Sequence, residues 1–527
     1  MRKWLIWSGV AIALLLVGLT VAGFILARRI DPFLREQTVA YLQERFASEV
    51  ELESLSVSVP MRSPIRVLLD RGRGATVKLT GKGLALHFRG SREYPPLIKM
   101  SRFDVEADLA DVREKPARVR LVKLHGMEIT LPPAGARPKM GGAASEAEDS
   151  SGGQDKPTSV ILDQVLADGA KLTILPRDPT KRPLVWDLHE LKLTSAGPGV
   201  PMQYETKLTN AKPPGLVDSK GSFGPWKTTE PRETPLSGEY VFTDADLGVF
   251  KGIAGKLNST GTFEGRLDHL IVDGETTTPD FRLSTAGNRV PLKTRFHAIV
   301  DGTNGNTLLE PVDATIGRTT FRLVGGVVRD IDETGKTITF DVNIRKGHID
   351  DFLRLAVKGD KPFLRGDVDM KVKLEIPPGK TEIADRMRLA GTFSLARAHF
   401  TSPTVADKID ELSQRGQGAP RDSSIAEVPA VFGGTFRLAD GRMDFSKLNF
   451  SVPGAAVDLK GLYTFDDEKL DFWGTLKLDA RVSQTQTGWK RWALKPVDPF
   501  FARGGAGTNL RIRISGDRSS PKFGRDK

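Results

Sequence analysis

From Glu49 onward, apolar and polar residues alternate with a period of two over most of the chain. Leu84 and Leu86 alternate with Ala85 and His87. Phe103, Val105, Ala107 and Leu109 alternate with Asp104, Glu106 and Asp108, and Met127, Ile129 and Leu131 with Glu128 and Thr130. Successive side chains of a strand point to opposite faces, so each run predicts a strand with one buried and one wet face, as in antiparallel sheet. Leu172 and Ile174, Leu191 and Leu193, and Phe340, Val342 and Ile344 continue the pattern. The longest run sets Leu470, Phe472, Leu476, Leu478, Ala480 and Val482 against Asp471, Trp473, Thr475, Lys477, Asp479 and Arg481. Gly474 interrupts its apolar row, which predicts a bend or bulge there. Leu510, Ile512 and Ile514 alternate with Arg511 and Arg513. The predicted fold class is mainly β, with short helical intervals at 247–257, 349–357 and 405–414.

Two segments depart from this period. Trp4 to Ala27 is a run of 24 residues without a charge. About 20 apolar residues in a helix cross the hydrocarbon core of a bilayer, so residues 1–29 are expected to form a transmembrane anchor. A signal peptide has a shorter apolar region and a small-residue cleavage site, and neither is found here. Leu14, Leu15, Leu16 and Phe24 lie within the run, and Trp4 and Trp7 sit near one end, where amphipathic rings favour the interface. Arg2 and Lys3 flank one end, and Arg28, Arg29 and Arg35 the other, so charge leaves the orientation open. Next comes an amphipathic helix from Pro32 to Ala47, with Asp31 placed to cap it. Leu34, Tyr41 and Leu42 share one face, with Val39 and Phe46 on its shoulder. That face suits either the start of a sheet or a membrane surface.

Residues 134–157 have no periodicity and are rich in Gly, Ser, Ala and charge. They are expected to be a flexible linker between an N-terminal region, 30–133, and a β-rich C-terminal region, 158–527. Within the latter, Gly391-Thr392-Phe393-Ser394-Leu395-Ala396 resembles Gly434-Thr435-Phe436-Arg437-Leu438-Ala439. Each copy opens a hairpin-like unit, which hints at stacked meanders.

The formal net charge of +11 suits a solvated basic surface or attraction to anionic lipid headgroups. No compact cluster of Lys and Arg with interleaved aromatics points to nucleic acid. Cysteine is absent, which removes disulfides, thiolate metal sites and cysteine nucleophiles. The seven histidines are spread out, with none of the close spacing of a local metal motif, so no metal and no cofactor is expected. Neither a nucleophile elbow nor a phosphate loop is present, which argues against an enzyme. The loop Asp301-Gly302-Thr303-Asn304-Gly305-Asn306 has the oxygens of a calcium loop, but Val312 stands where the glutamate belongs, and a hairpin turn is the better reading. Gly504-Gly505-Ala506-Gly507 likewise reads as a turn. Trp489, Lys490, Arg491 and Trp492, followed by Phe500 and Phe501, suit either a cap on the end of a sheet or contact with a membrane interface.

The order of anchor, amphipathic helix and long antiparallel β resembles the AsmA family of bacterial envelope proteins. The resemblance rests on AYLQERFASEVELESLSVSVP (40–60), on residues 97–133 with their Leu124-His125-Gly126-Met127-Glu128-Ile129 ending, and on LTNAKPPGLVDSKGSFGPW (208–226). It also rests on GGTFRLADGRMDFSKLNFSVPGAAVDLKGLYTF (433–465). The resemblance implies a single-pass inner-membrane anchor with the body in the periplasm. It also implies kinship with TamB-like bridge-like lipid-transfer proteins, whose body is an elongated, curled sheet with an apolar concave face. On that expectation phospholipid is the partner, possible partner proteins lie in the envelope, and tails slide along a groove at about 0.8 kcal/mol per buried CH₂. The groove-lining residues would be Leu84, Leu86, Phe103, Val105, Leu109, Ile129, Leu470, Phe472, Leu476, Leu478, Val482, Ile512 and Ile514. The role implied is outer-membrane lipid homeostasis and biogenesis. The alternative is a non-enzymatic assembly factor for outer-membrane proteins, with the apolar face closed into a core and partners added at strand edges.

Overall fold

The computed structural model describes residues 35–36, 38–40, 42–43, 49–58, 75–87, 92–108, 110–111, 116–133, 160–176, 178–197, 199–227, 230–284, 287–329, 335–358, 361–379, 381–401, 403–418, 428–465, 467–485, 507–517 and 520–525. These residues are mainly β, in open, mixed sheet that closes into no barrel. They fall into two compact units. Unit 1 takes Met1–Ala245, Asn258–Val272 and Asp301–Asn304, and unit 2 takes Asp246–Leu257, Asp273–Val300 and Gly305–Lys527.

In unit 1, β1 (Glu49–Glu51) and β2 (Ser54–Ser58) both pair with β3 (Thr76–His87), and β3 pairs with β4 (Ile98–Asp108), all antiparallel. The short β5 (Ala117–Val119) precedes β6 (Leu121–Leu131), which is antiparallel to β4. Both β5 and β6 then pair in parallel with β7 (Val160–Ile174). The antiparallel expectation therefore fails at this step, because 132–159 exceeds the dozen or so residues a parallel crossover needs. The strands on either side of 134–157 share one ladder. Antiparallel order resumes through β8 (Leu184–Ala196), β9 (Met202–Thr209), β10 (Leu216–Phe223) and β11 (Pro235–Asp246).

The apolar rows of β3, β4, β6 and β7 form a closed core. Leu79, Val105 and Val122 have no exposure, and Phe103 has 1%. Gly81 lies opposite Phe103, whose ring occupies the space a Cβ at Gly81 would need. Helical residues between 35 and 43 bury Thr38 and Leu42, and Arg35 Nε donates to Leu52 O at 2.6 Å. Of the two faces open to that helix, it takes the start of the sheet.

In unit 2, β12 (Ile253–Ala254) pairs with β15 (Arg282–Leu283). β13 (Lys256–Arg266) and β14 (His269–Thr278) have residues in both units. The main ladder is a meander in chain order: β16 (Leu292–Val300), β17 (Thr307–Ile316), β18 (Thr319–Val328), β19 (Thr337–His348), β20 (Leu364–Ile376), β21 (Arg388–Phe400), β22 (Ala430–Ala439), β23 (Arg442–Val452), β24 (Ala455–Thr464), β25 (Lys469–Leu478), β26 (Thr508–Asp517) and β27 (Ser520–Arg525). Every consecutive pair is antiparallel.

The helices of this unit are α1 (Ile349–Ala356), α2 (Ile383–Arg386) and α3 (Pro403–Gly416). Two of the three predicted helical intervals hold. The third, 247–257, holds only a 3₁₀ turn at Leu247–Val249 followed by β12 and the start of β13. Gly248, Gly252 and Gly255 make a continued helix unfavourable there. The long C-terminal strand stops at Leu478 rather than Val482, which opens a 3₁₀ turn. Gly474 marks no bulge. Its register with Leu459 is unbroken, and it is glycine because a Cβ would meet Asp458 O at 1.9 Å.

Helices α1 and α3 close one margin of the meander, and α2 lies at the other, between β20 and β21. Asp351 Oδ2 accepts from Thr319 Oγ1 at 2.8 Å and from Arg318 N at 2.9 Å, which fixes the first turn of α1 at the start of β18. Pro403 opens α3 at a position where its missing N–H is no loss, and Gly418, at φ +79°, follows its end. Ser413 Oγ donates to Pro453 O at 2.7 Å in the β23–β24 turn. Leu364, Val368, Leu395, Ala398, Ala430, Val452, Ala455 and Leu478 are buried beneath these helices.

Candidate functional site

The strand register of unit 2 places one apolar row across eleven strands. It runs Phe296, Val312, Leu323, Val342, Val372, Gly391, Phe436, Phe445, Gly461, Phe472, Ile514, one residue from each of β16 to β26. At about 4.8 Å per strand this is a track on the order of 50 Å along the sheet. A second row beside it includes Met370, Phe393, Gly434, Leu448 and Leu459.

Most of these side chains are only half-buried. Val342, Val372, Phe436, Phe445 and Ile514 keep accessible surface, whereas the corresponding row of unit 1 has none to spare. The paired repeats lie at the centre of the unit 2 row. β21 and β22 are partners, and Gly391 faces Phe436 while Phe393 faces Gly434. Phe393 leans over Gly434, its ring 3.2 Å from where a Cβ would stand, and the Phe393 and Phe436 ring centroids are 6.2 Å apart. The surface stays level and hydrocarbon-like rather than studded.

The opposite face is wet and laced with ion pairs. Arg295 with Glu275, Arg322 with Asp313, Arg388 with Glu375, Lys477 with Asp458 and Arg513 with Asp471 cross between neighbouring strands. Exposed pairs such as these add about 0–1 kcal/mol each, so their main effect is to keep that face solvated.

Unit 1 has a half-buried stretch as well, of different chemistry. Leu188, Leu208, Val217 and Phe242 align across β8 to β11. Beside them run Thr206, Ser219 and Tyr240. The Tyr204 and Ser219 hydroxyls are 3.3 Å apart, and those of Tyr240 and Ser259 are 3.1 Å apart. Burial pushes the Tyr240 phenol above its ordinary pKa.

The residues expected to line a groove separate into two groups. Leu84, Leu86, Phe103, Val105 and Ile129 are at most 2% exposed. Side chains packed that tightly can offer a ligand no surface, so they are corrected to structural core. Leu470, Leu476, Ile512 and Ile514 are half-buried on the open face, while Phe472 and Leu478 are each 8% exposed, Leu478 within the core under the helices. Leu109, the anchor residues Trp4 to Arg29, and Trp489 to Phe501 lie outside the described residues, as does the side chain of Val482. Among the described residues no helix is long and apolar enough to cross a membrane. The Asp301 loop is a turn, with Asp301 Oδ1 accepting from Thr303 N at 2.8 Å.

Several residues of the open face went unremarked in the sequence, among them Val372, Phe445 and Met370. Phe436 and Phe393 stood in the repeat, but only register reveals that they face each other's glycine. The buried carboxylates Asp350 and Asp351 are committed to Arg318 and Thr319. No protein-family model, curated protein or solved structure matches the chain.

Proposed function

We propose that this chain is an AsmA-like protein, anchored in the inner membrane with its body in the periplasm, that holds phospholipid tails on the open face of unit 2. The observation that carries the reading is the half-buried apolar row from β16 to β26 with a fully solvated face behind it. Soluble proteins rarely leave a contiguous apolar patch of this extent uncovered unless something binds it. Each tail CH₂ buried there gains about 0.8 kcal/mol, so lipid is held without a shaped pocket and can slide. No chemical step is assigned, and the role is lipid movement in support of the outer membrane. The alternative is an assembly factor whose partners add strands at an edge of the sheet.

The test is lipid extraction and mass spectrometry on full-length protein purified from a Gram-negative host, beside Phe436→Asp. Phospholipid at several molecules per chain, sharply reduced in the folded variant, is expected. Equal lipid in both proteins would sink the assignment to this face.

A further inference from the structure

We propose that the wet face of unit 2, over β16 to β19, binds the phosphate group of a phosphorylated sugar or polyol. An open hollow of about 750 Å³ lies there. Arg295, Asp313 and Arg322 line it. Each is adjacent in its strand to Phe296, Val312 or Leu323 of the apolar row, and so points to the other face. Ligand sites commonly measure about 300–1,000 Å³. This one is lined mainly by charged groups, hydroxyls and an amide, so it suits a polar occupant and is separate from the proposed lipid track.

Two cross-strand rows line the hollow, and charge is divided unequally between them. In one, Arg295, Asp313, Arg322 and Asn343 stand opposite one another in succession. This row neutralises itself: Arg295 pairs with Glu275 at 2.7 Å and Arg322 with Asp313 at 2.9 Å. In the other, Lys293 stands opposite Thr315, and Thr315 opposite Thr320. Arg345 continues this row, because it follows Ile344, the partner of Phe321. Over these four strands the row carries two cations, two hydroxyls and no carboxylate. Lys293 and Arg345 form no ion pair among the described residues. Across the β19–β20 bulge from Arg345, Asp369 Oδ1 accepts instead from Lys346 N at 2.8 Å. Four cations against two carboxylates leave the hollow at +2. Like charges gathered without counter-charges repel, and an anion seated between them relieves that repulsion.

The spacing suits a phosphate. Lys293 and Arg345 are three strand intervals apart, about 14 Å, with Thr315 and Thr320 between them. The midpoint is roughly 7 Å from either backbone. Long, flexible cationic side chains cover that distance. An anion over the two threonines therefore meets hydroxyl donors beneath it, an ammonium from one side and a guanidinium fork from the other. The phosphate fills only a small part of the hollow. The rest of the ligand lies over Glu275, Asp313 and Asn343, whose oxygens accept from hydroxyls and whose amide donates to them. A hydroxylated body satisfies those groups, whereas an acyl chain there would bury them unpaired.

Two sources carry such a group, a soluble phosphate ester and a lipid headgroup, and the test has an arm for each. Full-length protein in detergent is titrated in a calorimeter with glycerol 3-phosphate and, separately, with dihexanoyl phosphatidylglycerol. The variant is Lys293→Ala with Arg345→Ala. Its control is Arg437→Ala with Lys447→Ala, which removes equal charge from exposed positions elsewhere in the sheet. Saturable binding of glycerol 3-phosphate is expected, weakened about tenfold or more in the first pair and unchanged in the control. Binding of the lipid alone, with the same dependence on Lys293 and Arg345, would assign the phosphate to a headgroup. No binding of either probe, or a loss no larger than in the control, would overturn the site. Lipid held by its tails on the apolar face is insensitive to both pairs, so that failure would leave the lipid reading standing.

Discussion

Phe103 and Phe436 are the same side chain at equivalent points of two rows, yet one is 1% exposed and the other keeps accessible surface. Truncating the first leaves a cavity in a closed core, so Phe103→Ala should cost about 3–5 kcal/mol. Truncating the second removes a half-solvated ring, and Phe436→Ala should cost roughly half as much. Urea unfolding of both variants checks the difference. Equal losses would mean that the face of unit 2 is as closed as that of unit 1. Glu106 gives a second prediction. Its carboxylate accepts from Lys78 at 3.0 Å and also pairs with Arg120. The Lys78 hydrogen bond is the largest influence on its pKa and holds it below the ordinary carboxylate range. A depressed carboxylate stabilises the fold at neutral pH, and that contribution is lost as pH falls through the folded-state pKa. Glu106→Gln should therefore weaken unit 1 at neutral pH and flatten the acid limb of its stability profile. An unchanged acid limb would place the titration elsewhere.

At the scale of elements, the period of two marked the chain as mainly β and located strands such as β3, β4, β6, β19, β25 and β26, because a half-buried strand must alternate whatever it pairs with. Register was invisible. Nothing in GTFSLA and GTFRLA announces that the two copies become antiparallel neighbours with each glycine opposite the other's phenylalanine. The parallel step from β6 to β7 was equally hidden, since alternation is blind to strand direction. The helix expected over 247–257 failed to three glycines, and Gly474 proved to mark backbone crowding rather than a bulge. The closed core of β3, β4 and β6 was read as groove, because the alternating pattern of a strand is the same whether its apolar side meets protein or ligand. The helical margin rests on a close approach: Gly416 sits so near Gly454 that a Cβ would meet its carbonyl oxygen at 2.3 Å. Gly416→Val should lift the end of α3 and cost about 1–3 kcal/mol. Hydrogen exchange would register this as lost protection over 403–416, and full protection would show the contact to be dispensable.

At the scale of the whole molecule, two units built from the same period serve different ends. Unit 1 spends its first apolar rows on a closed core and mixes hydroxyls into the rest. Unit 2 keeps a hydrocarbon surface across eleven strands, wet behind and closed by helices along one margin. The absence of cysteine makes a direct probe of that surface available, since a single introduced thiol is unique. Val372 and Lys371 are adjacent in β20 and point to opposite faces, Val372 half-buried on the apolar side and Lys371 exposed on the wet side. A polarity-sensitive fluorophore on Val372→Cys of the full-length protein should shift to the blue when phosphatidylcholine vesicles are added, while the same dye on Lys371→Cys should not. A dye at residue 372 that does not respond, or responds no more than the one at 371, would contradict a lipid-binding face in unit 2.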